Sequence, residues 1–303
     1  MSTMANPATA IIGLGAMGIG MAANIIRTGI ALNGYDLSGT QRDAFRHLGG
    51  TVHMSPATAA AGASLLIIMV VNAEQVCEVL FGDEGALHAL GEDACVMLCS
   101  TIAPDDVRAI AAKLAEESVM MLDAPVSGGK TGADFGELSI MAAGPKSAFA
   151  RAQPVLEAIS KRVYRLGDDA GEGATYKIVH QLAAGVHLAV AAELLALGKV
   201  AGCDAELLSD VMQTSAGRSW MMLDRLPRMI ESDFVARSAI DIFVKDLELV
   251  SRLGDETGLR LPVTNCALDR FREAQQLGFG RLDDSALVKI YEREDSTRDH
   301  ETD

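Results

Sequence analysis

Gly13-Leu14-Gly15-Ala16-Met17-Gly18 is the stretch on which the fold turns. It follows a short apolar run, residues 8–14, and opens an apolar-periodic segment, residues 17–28, that stops at Gly29. A strand, a glycine turn and a helix in that order form the opening of a βαβ unit that holds a dinucleotide pyrophosphate. Gly13 permits the tight turn, Gly15 lets the backbone approach the anion, and Gly18 lets helix and strand pack closely. The helix N-terminus then offers unpaired N–H groups to the phosphates. Leu14, Ala16 and Met17 complete this candidate cofactor-binding turn.

Working outward, residues 31–35 read as the next strand and end at Asp36. A carboxylate there accepts hydrogen bonds from ribose hydroxyls and repels a 2′-phosphate. Residues 37–41 bring no arginine to receive one, so NAD is favoured over NADP. A plain turn aspartate is the alternative reading. Residues 65–71 and 95–99 are apolar at every position, as central parallel strands covered on both sides must be. Val70 and Val71, at the end of the first of these runs, are candidates for the adenine side. Ser55-Pro56 reads as an N-cap followed by proline at the first helical position, and further helices begin near Ala73 and Pro104. This alternation predicts an α/β protein, a Rossmann-type doubly wound sheet.

After Asp123 the pattern changes. A glycine-rich turn leads to a strand over 137–143, a helix, and a strand over 163–166. From Gly173 onward no strand signal remains, and residues 175–201 form one long apolar helix. The expected organisation is a cofactor-binding domain over 1–168, an all-helical substrate and oligomerisation domain over 169–291, and a flexible tail over 292–303. The long helix serves as the hinge element in this scheme.

The net charge is −15, which disfavours nucleic acid and anionic membrane surfaces as partners. No signal-like segment opens the chain, and no apolar run is long enough to span a bilayer uninterrupted. Five cysteines, an odd number without a CxxC pair, point to reduced thiols and a cytoplasmic setting. They offer no metal site. An acidic chain that takes an anionic substrate must gather its positive charges locally, which singles out lysines and arginines in apolar surroundings.

Asp123-Ala124-Pro125-Val126-Ser127-Gly128-Gly129-Lys130 follows a strand end, where open α/β sheets bind ligands. The Ser127 hydroxyl and the backbone N–H groups at Gly128 and Gly129 suit a carboxylate, although a structural turn explains the same residues. Together with the opening turn, four further motifs occur in order: Ser100-Thr101-x-x-Pro104, this loop, Gly173-x-x-x-Lys177 and Lys245-Asp246-Leu247. In combination they resemble the β-hydroxyacid dehydrogenase family, from about residue 10 to 291. Members include 3-hydroxyisobutyrate, tartronate-semialdehyde, 6-phosphogluconate and L-threonate dehydrogenases.

The resemblance implies an NAD-dependent oxidation of a small hydroxy acid, with Lys177 as the general base. A lysine in apolar surroundings can be lowered toward roughly pH 7–8, which suits proton removal from an alcohol. On the helix alone, Lys177 reads sooner as a lysine snorkelling from an edge, and it is the resemblance that reverses this. The resemblance also implies that Thr101 meets the nicotinamide ribose and that Lys245 reaches cofactor or substrate; Asp246, its neighbour in the chain, reads simply as a local charge partner. Two asparagines usually follow the catalytic lysine in this family; here His180 and Gln181 stand instead, and both become candidate substrate ligands. His180 and His187, seven apart, share a helix face and read as two buried structural or substrate-facing imidazoles rather than as a metal pair.

The stretch from His180 to His187, with Ser238 to Leu247, resembles the L-threonate branch. Gly217-Arg218-Ser219-Trp220 resembles the 3-hydroxyisobutyrate branch, and Arg218 is either a carboxylate clamp or solvent-facing. The expected substrate is L-threonate or a related sugar acid. Alternatives are 3-hydroxyisobutyrate oxidation, tartronate-semialdehyde reduction, imine reduction on the same fold, or a non-catalytic cofactor-binding module. A helix as apolar as 175–201 predicts a homodimer or homotetramer.

Overall fold

In a computed structural model that describes residues 8–292, the chain forms two units, Met1–Lys177 and Ile178–Asp303. The first unit begins β1 (Thr9–Ile12), α1 (Gly18–Arg27), β2 (Leu32–Tyr35), α2 (Gly39–His47), β3 (Thr51–Val52) and α3 (Pro56–Ala60). It continues β4 (Leu65–Ile68), α4 (Ala73–Phe81), β5 (Cys95–Leu98), α5 (Pro104–Glu116), β6 (Met120–Asp123) and β7 (Val126–Ser127). Then come α6 (Gly129–Phe135), β8 (Leu138–Ala143), α7 (Lys146–Ile159) and β9 (Ser160–Gly167). The long α8 (Glu172–Val200) starts at the end of this unit.

The strand order is β3-β2-β1-β4-β5-β6-β8-β7, with β9 alongside β8. The pairs from β3 through β6 are parallel, whereas β8 runs antiparallel to β6 and β7. β1, β4 and β5 are buried at every residue because helices cover both faces of the sheet. One layer packs Met21, Ile25, Phe149 and Leu156 against the sheet, and the other packs Val76, Leu80, Val107 and Leu114. The order reverses between β1 and β4, and ligands of such sheets bind at the carboxyl ends around that point.

The run 65–71 is only in part a strand. Pairing with β1 and β5 ends at Ile68, where Ile12 and Leu98 end as well. Beyond it, Val70 N donates to Ser100 Oγ (3.0 Å) and Val71 N to Gln75 Oε1 (2.9 Å). Ser55 caps α3 in a full capping box with Thr58, and Pro56 stands in the first turn.

The second unit takes the remainder of α8, then α9 (Ala205–Thr214), α10 (Trp220–Glu231), α11 (Ile240–Thr257) and α12 (Pro262–Ala274). Its core gathers Leu188, Leu195, Leu226, Phe243, Leu247 and Phe271, with the Phe243 and Phe271 rings stacked at 5.3 Å. A Cβ on Gly185 would stand 2.6 Å from Leu247, so this glycine lets α8 and α11 approach. Inside this unit Arg225 Nε and Nη2 grip Asp284 at 2.6 and 2.9 Å, with the Asp284 side chain fully buried. By length and composition α8 could cross a membrane, and half of its most apolar window is buried within the molecule. Of the tail expected over 292–303, everything after Glu292 lies outside the described residues.

Candidate active site

Three glycines of the opening turn meet three different constraints. Gly13 has φ +93°, and a Cβ there would lie 2.2 Å from the Met69 carbonyl oxygen. A Cβ on Gly18 would lie 1.9 Å from the Gly13 carbonyl oxygen. Around Gly15 nothing lies within 4 Å of that position. The first two are therefore required by the turn, and the third keeps open a hollow that a methyl group would fill. Met17 gives α1 no side-chain cap; Ile19 N donates to the Gly15 carbonyl (3.0 Å), and the N–H groups of the turn just before it face the place where a helix start favours an anion. Asp36 completes the arrangement: Oδ2 accepts from Leu14 N and Oδ1 from Ser38 N, both at 2.7 Å. These residues fit a dinucleotide.

Arg42 escaped the reading of residues 37–41 by one position. Its Nη1 donates to the carbonyls of Asp36 (2.6 Å) and Leu37 (3.0 Å), which sets a guanidinium beside the ribose-side carboxylate. Its spacing on α2, one turn beyond the strand end, was the signal available.

The other candidates in the first unit collect at the same carboxyl edge. Val70 and Val71 follow β4, and Thr101 follows β5. Ser127 closes β7 and is half-buried; Gly128 and Gly129 take φ of +128° and +60° as the chain enters α6. Lys130 pairs with Asp134 along α6. Asp123 ends β6 with 1% exposure. Its Oδ2 accepts from Gly171 N and Ala174 N, each at 2.9 Å. A Cβ on Gly173 would stand 2.5 Å from the Met141 carbonyl oxygen and 2.8 Å from that of Asp123. The first turn of α8 is thus pressed onto the ends of β6 and β8, and Lys177 follows one turn later with 6% exposure.

Burial pushes the Asp123 carboxyl up to about 6. The N–H groups of Ala174, Gly171 and Gly173 pull it down, and the charge of Glu172 raises it further. Cys99 is pushed up to about 12 by burial and by the charge of Asp123.

In the second unit, Asp246 joins three of the expected residues. Gln181 Nε2 donates to Asp246 Oδ2 (2.5 Å), and Gln181 Oε1 lies 3.0 Å from His180 Nδ1. Lys245 Nζ lies 2.7 Å from Asp246 Oδ1, an ion pair. His187 corrects the expectation of two buried imidazoles: it is exposed, and His180 is half-buried. The two lie within about 20° of each other around the helix, seven residues being just short of two turns, and at this level α8 buries the adjacent Leu188 instead. Arg218 is exposed and its Nη1 donates to the Gln213 carbonyl (3.2 Å). Trp220, two residues on, is 54% exposed. Among the described residues no group of three His, Cys, Asp or Glu is gathered for a metal ion.

Residues 8–167 match the NAD-binding domain of 6-phosphogluconate dehydrogenase. Residues 171–291 match the NAD-binding domain of NADP-dependent 3-hydroxyisobutyrate dehydrogenase. The chain is 43% identical to an L-threonate dehydrogenase of Escherichia coli K12, over 93% of each protein. It is 35% identical to a 2-(hydroxymethyl)glutarate dehydrogenase of Eubacterium barkeri, over 93% of this chain and 94% of that one. Among solved structures, one named as a 3-hydroxyisobutyrate dehydrogenase of Salmonella typhimurium superposes with a TM-score of 0.90 at 42% identity. That match covers 94% of this chain and 100% of the other.

Proposed function

Because the chain belongs to the NAD-dependent β-hydroxyacid dehydrogenase family, we propose that its own substrate is a small sugar acid, L-threonate before others. The observation that carries this reading is the 43% identity, over 93% of the chain, to an L-threonate dehydrogenase. The linked side chains of His180, Gln181, Asp246 and Lys245 support it. A polyhydroxylated substrate needs partners for every hydroxyl taken out of water, and a site with polar groups to spare can supply them.

When bound, the nicotinamide ring supplies the hydride acceptor. The turn from Gly13 to Gly18, Asp36, Val70, Val71 and Thr101 hold the cofactor, and Lys245 is assigned to cofactor or substrate. Ser127 and the backbone at Gly128 and Gly129 receive the substrate carboxylate. Lys177 takes the hydroxyl proton at Nζ, and Gln181 and His180 orient the remaining hydroxyls. NAD is preferred because the Asp36 carboxylate repels a 2′-phosphate, while Arg42 is engaged by two backbone carbonyls.

We place the enzyme in the cytoplasm as a homodimer or homotetramer, without nucleic acid or membrane partners. Its free cysteines suit a reducing compartment. Val179, Val190, Leu197 and Val200 line one side of α8 and are exposed, a surface suited to a second copy.

The 3-hydroxyisobutyrate reading is kept as the second one, because the solved structure with the 0.90 TM-score carries that name. A panel of hydroxy acids with NAD and NADP separates the two. L-Threonate with NAD should give the highest kcat/KM. Turnover of 3-hydroxyisobutyrate without turnover of threonate would favour the second reading. Lys177→Ala should lower kcat by at least about 1,000-fold while NAD affinity, read by fluorescence titration, stays within about twofold. An active alanine variant removes Lys177 from the mechanism.

A further inference from the structure

We propose that Asp123 is a positioning residue for Lys177: its buried carboxylate fixes where α8 begins and so where the lysine one turn later is presented. The inference rests on the reading of Lys177 as the base.

A helix start leaves its first N–H groups without partners inside the helix, so an external acceptor decides where the helix begins. Such acceptors usually come from the residue just before the helix. Here the acceptor comes from the end of β6, 48 residues before Gly171 and 51 before Ala174. α8 therefore takes its register from the sheet that carries the cofactor turn as well as from its own leading loop, where Asp169 and Glu172 bond to each other. Gly173 completes the seat, since any side chain there would strike the backbone of Met141 and Asp123. Each residue of slip along a helix rotates a side chain by about 100° and moves it by about 1.5 Å. A lysine that must meet one proton does not tolerate either displacement.

A cap chosen for stability alone would not be built this way. The groups facing the carboxylate are the Cys99 thiol at the end of β5, Glu172 on α8, and the N–H groups of Gly171, Gly173 and Ala174. The Arg108 guanidinium lies beside Gly171, one of the N–H donors. The folded carboxyl titrates at about 6, above its ordinary value of 3.8. The sign follows directly: between those values the folded state holds the proton more tightly than the unfolded one. This group's contribution to stability is therefore greatest below the ordinary value and is lost as pH rises through about 6. At neutral pH the ionised form is retained against stability, and its return is a set of charge-assisted N–H bonds on the helix start.

The test uses the full-length enzyme, NAD and whichever acid of the panel gives the highest kcat/KM. Asp123→Leu, which removes the acceptor, should lower kcat about 100-fold with KM for NAD within about twofold. Asp123→Asn keeps an amide oxygen for the same N–H groups and should hold kcat within about tenfold of the parent. Its melting temperature at pH 8 should equal or exceed that of the parent. A leucine variant with more than half the parental kcat, or an asparagine variant that falls as far as the leucine one, overturns the inference. If the leucine variant does not fold, the asparagine kcat and melting temperature decide alone. An active Lys177→Ala overturns the reading of the base itself; an inactive one beside a fully active Asp123→Leu overturns only the positioning role.

Discussion

Gly15 and Gly18 stand three residues apart and answer to different demands. An alanine at position 18 drives its methyl into the Gly13 carbonyl, so the turn must open. Gly18→Ala should cost about 1–3 kcal/mol of stability and weaken NAD together with it. At position 15 the methyl meets nothing of the protein. Gly15→Ala should melt within about 0.5 kcal/mol of the parent yet bind NAD at least about tenfold more weakly, because the methyl occupies the phosphate hollow. Calorimetric titration beside a thermal melt separates the two effects. Parental affinity in Gly15→Ala would show that the hollow is not the phosphate seat. The spacing of these glycines was legible in the sequence because the turn is local. The duty of Asp123 was not, since its partners lie about fifty positions away and nothing near it in the chain announces them.

Among the elements, those defined by their own apolar pattern were the ones a reader of the chain could place. β1, β4 and β5 are buried throughout and stood out as unbroken apolar runs. Their ends were harder, because a strand stops where its neighbours stop, as Ile68 does beside Ile12 and Leu98. β9 shows the opposite failure. Only 163–166 looked strand-like, yet the strand runs from Ser160 to Gly167 with Lys161, Arg162 and Arg165 exposed. It pairs on one side only, with β8, and an edge strand gains from charge that discourages further pairing. The grip of α10 on the turn Asp284–Val288 was likewise hidden, since Arg225 and Asp284 lie 59 residues apart. Arg225→Ala strands a buried carboxylate and should cost about 3–5 kcal/mol in a urea melt. Arg225→Met with Asp284→Leu should recover most of that loss; a double variant as unstable as the single would argue against the pair as the cause.

At the scale of the molecule, a chain of net charge −15 still leaves Val179, Val190, Leu197 and Val200 in water on one side of α8. If a second copy covers this surface, Leu197→Glu should reduce the light-scattering mass to that of one chain without lowering helicity. A parent that already scatters as a monomer would end the proposal. The division of the chain into two units, Met1–Lys177 and Ile178–Asp303, also governs what a spectroscopic melt can see. The lone tryptophan, Trp220, belongs to the second unit and is already largely in water. Its emission reports first on the second unit, whereas circular dichroism averages over both units. The two probes will trace one curve only if the units unfold in concert, and a gap between their midpoints would measure how far each half of the enzyme stands on its own.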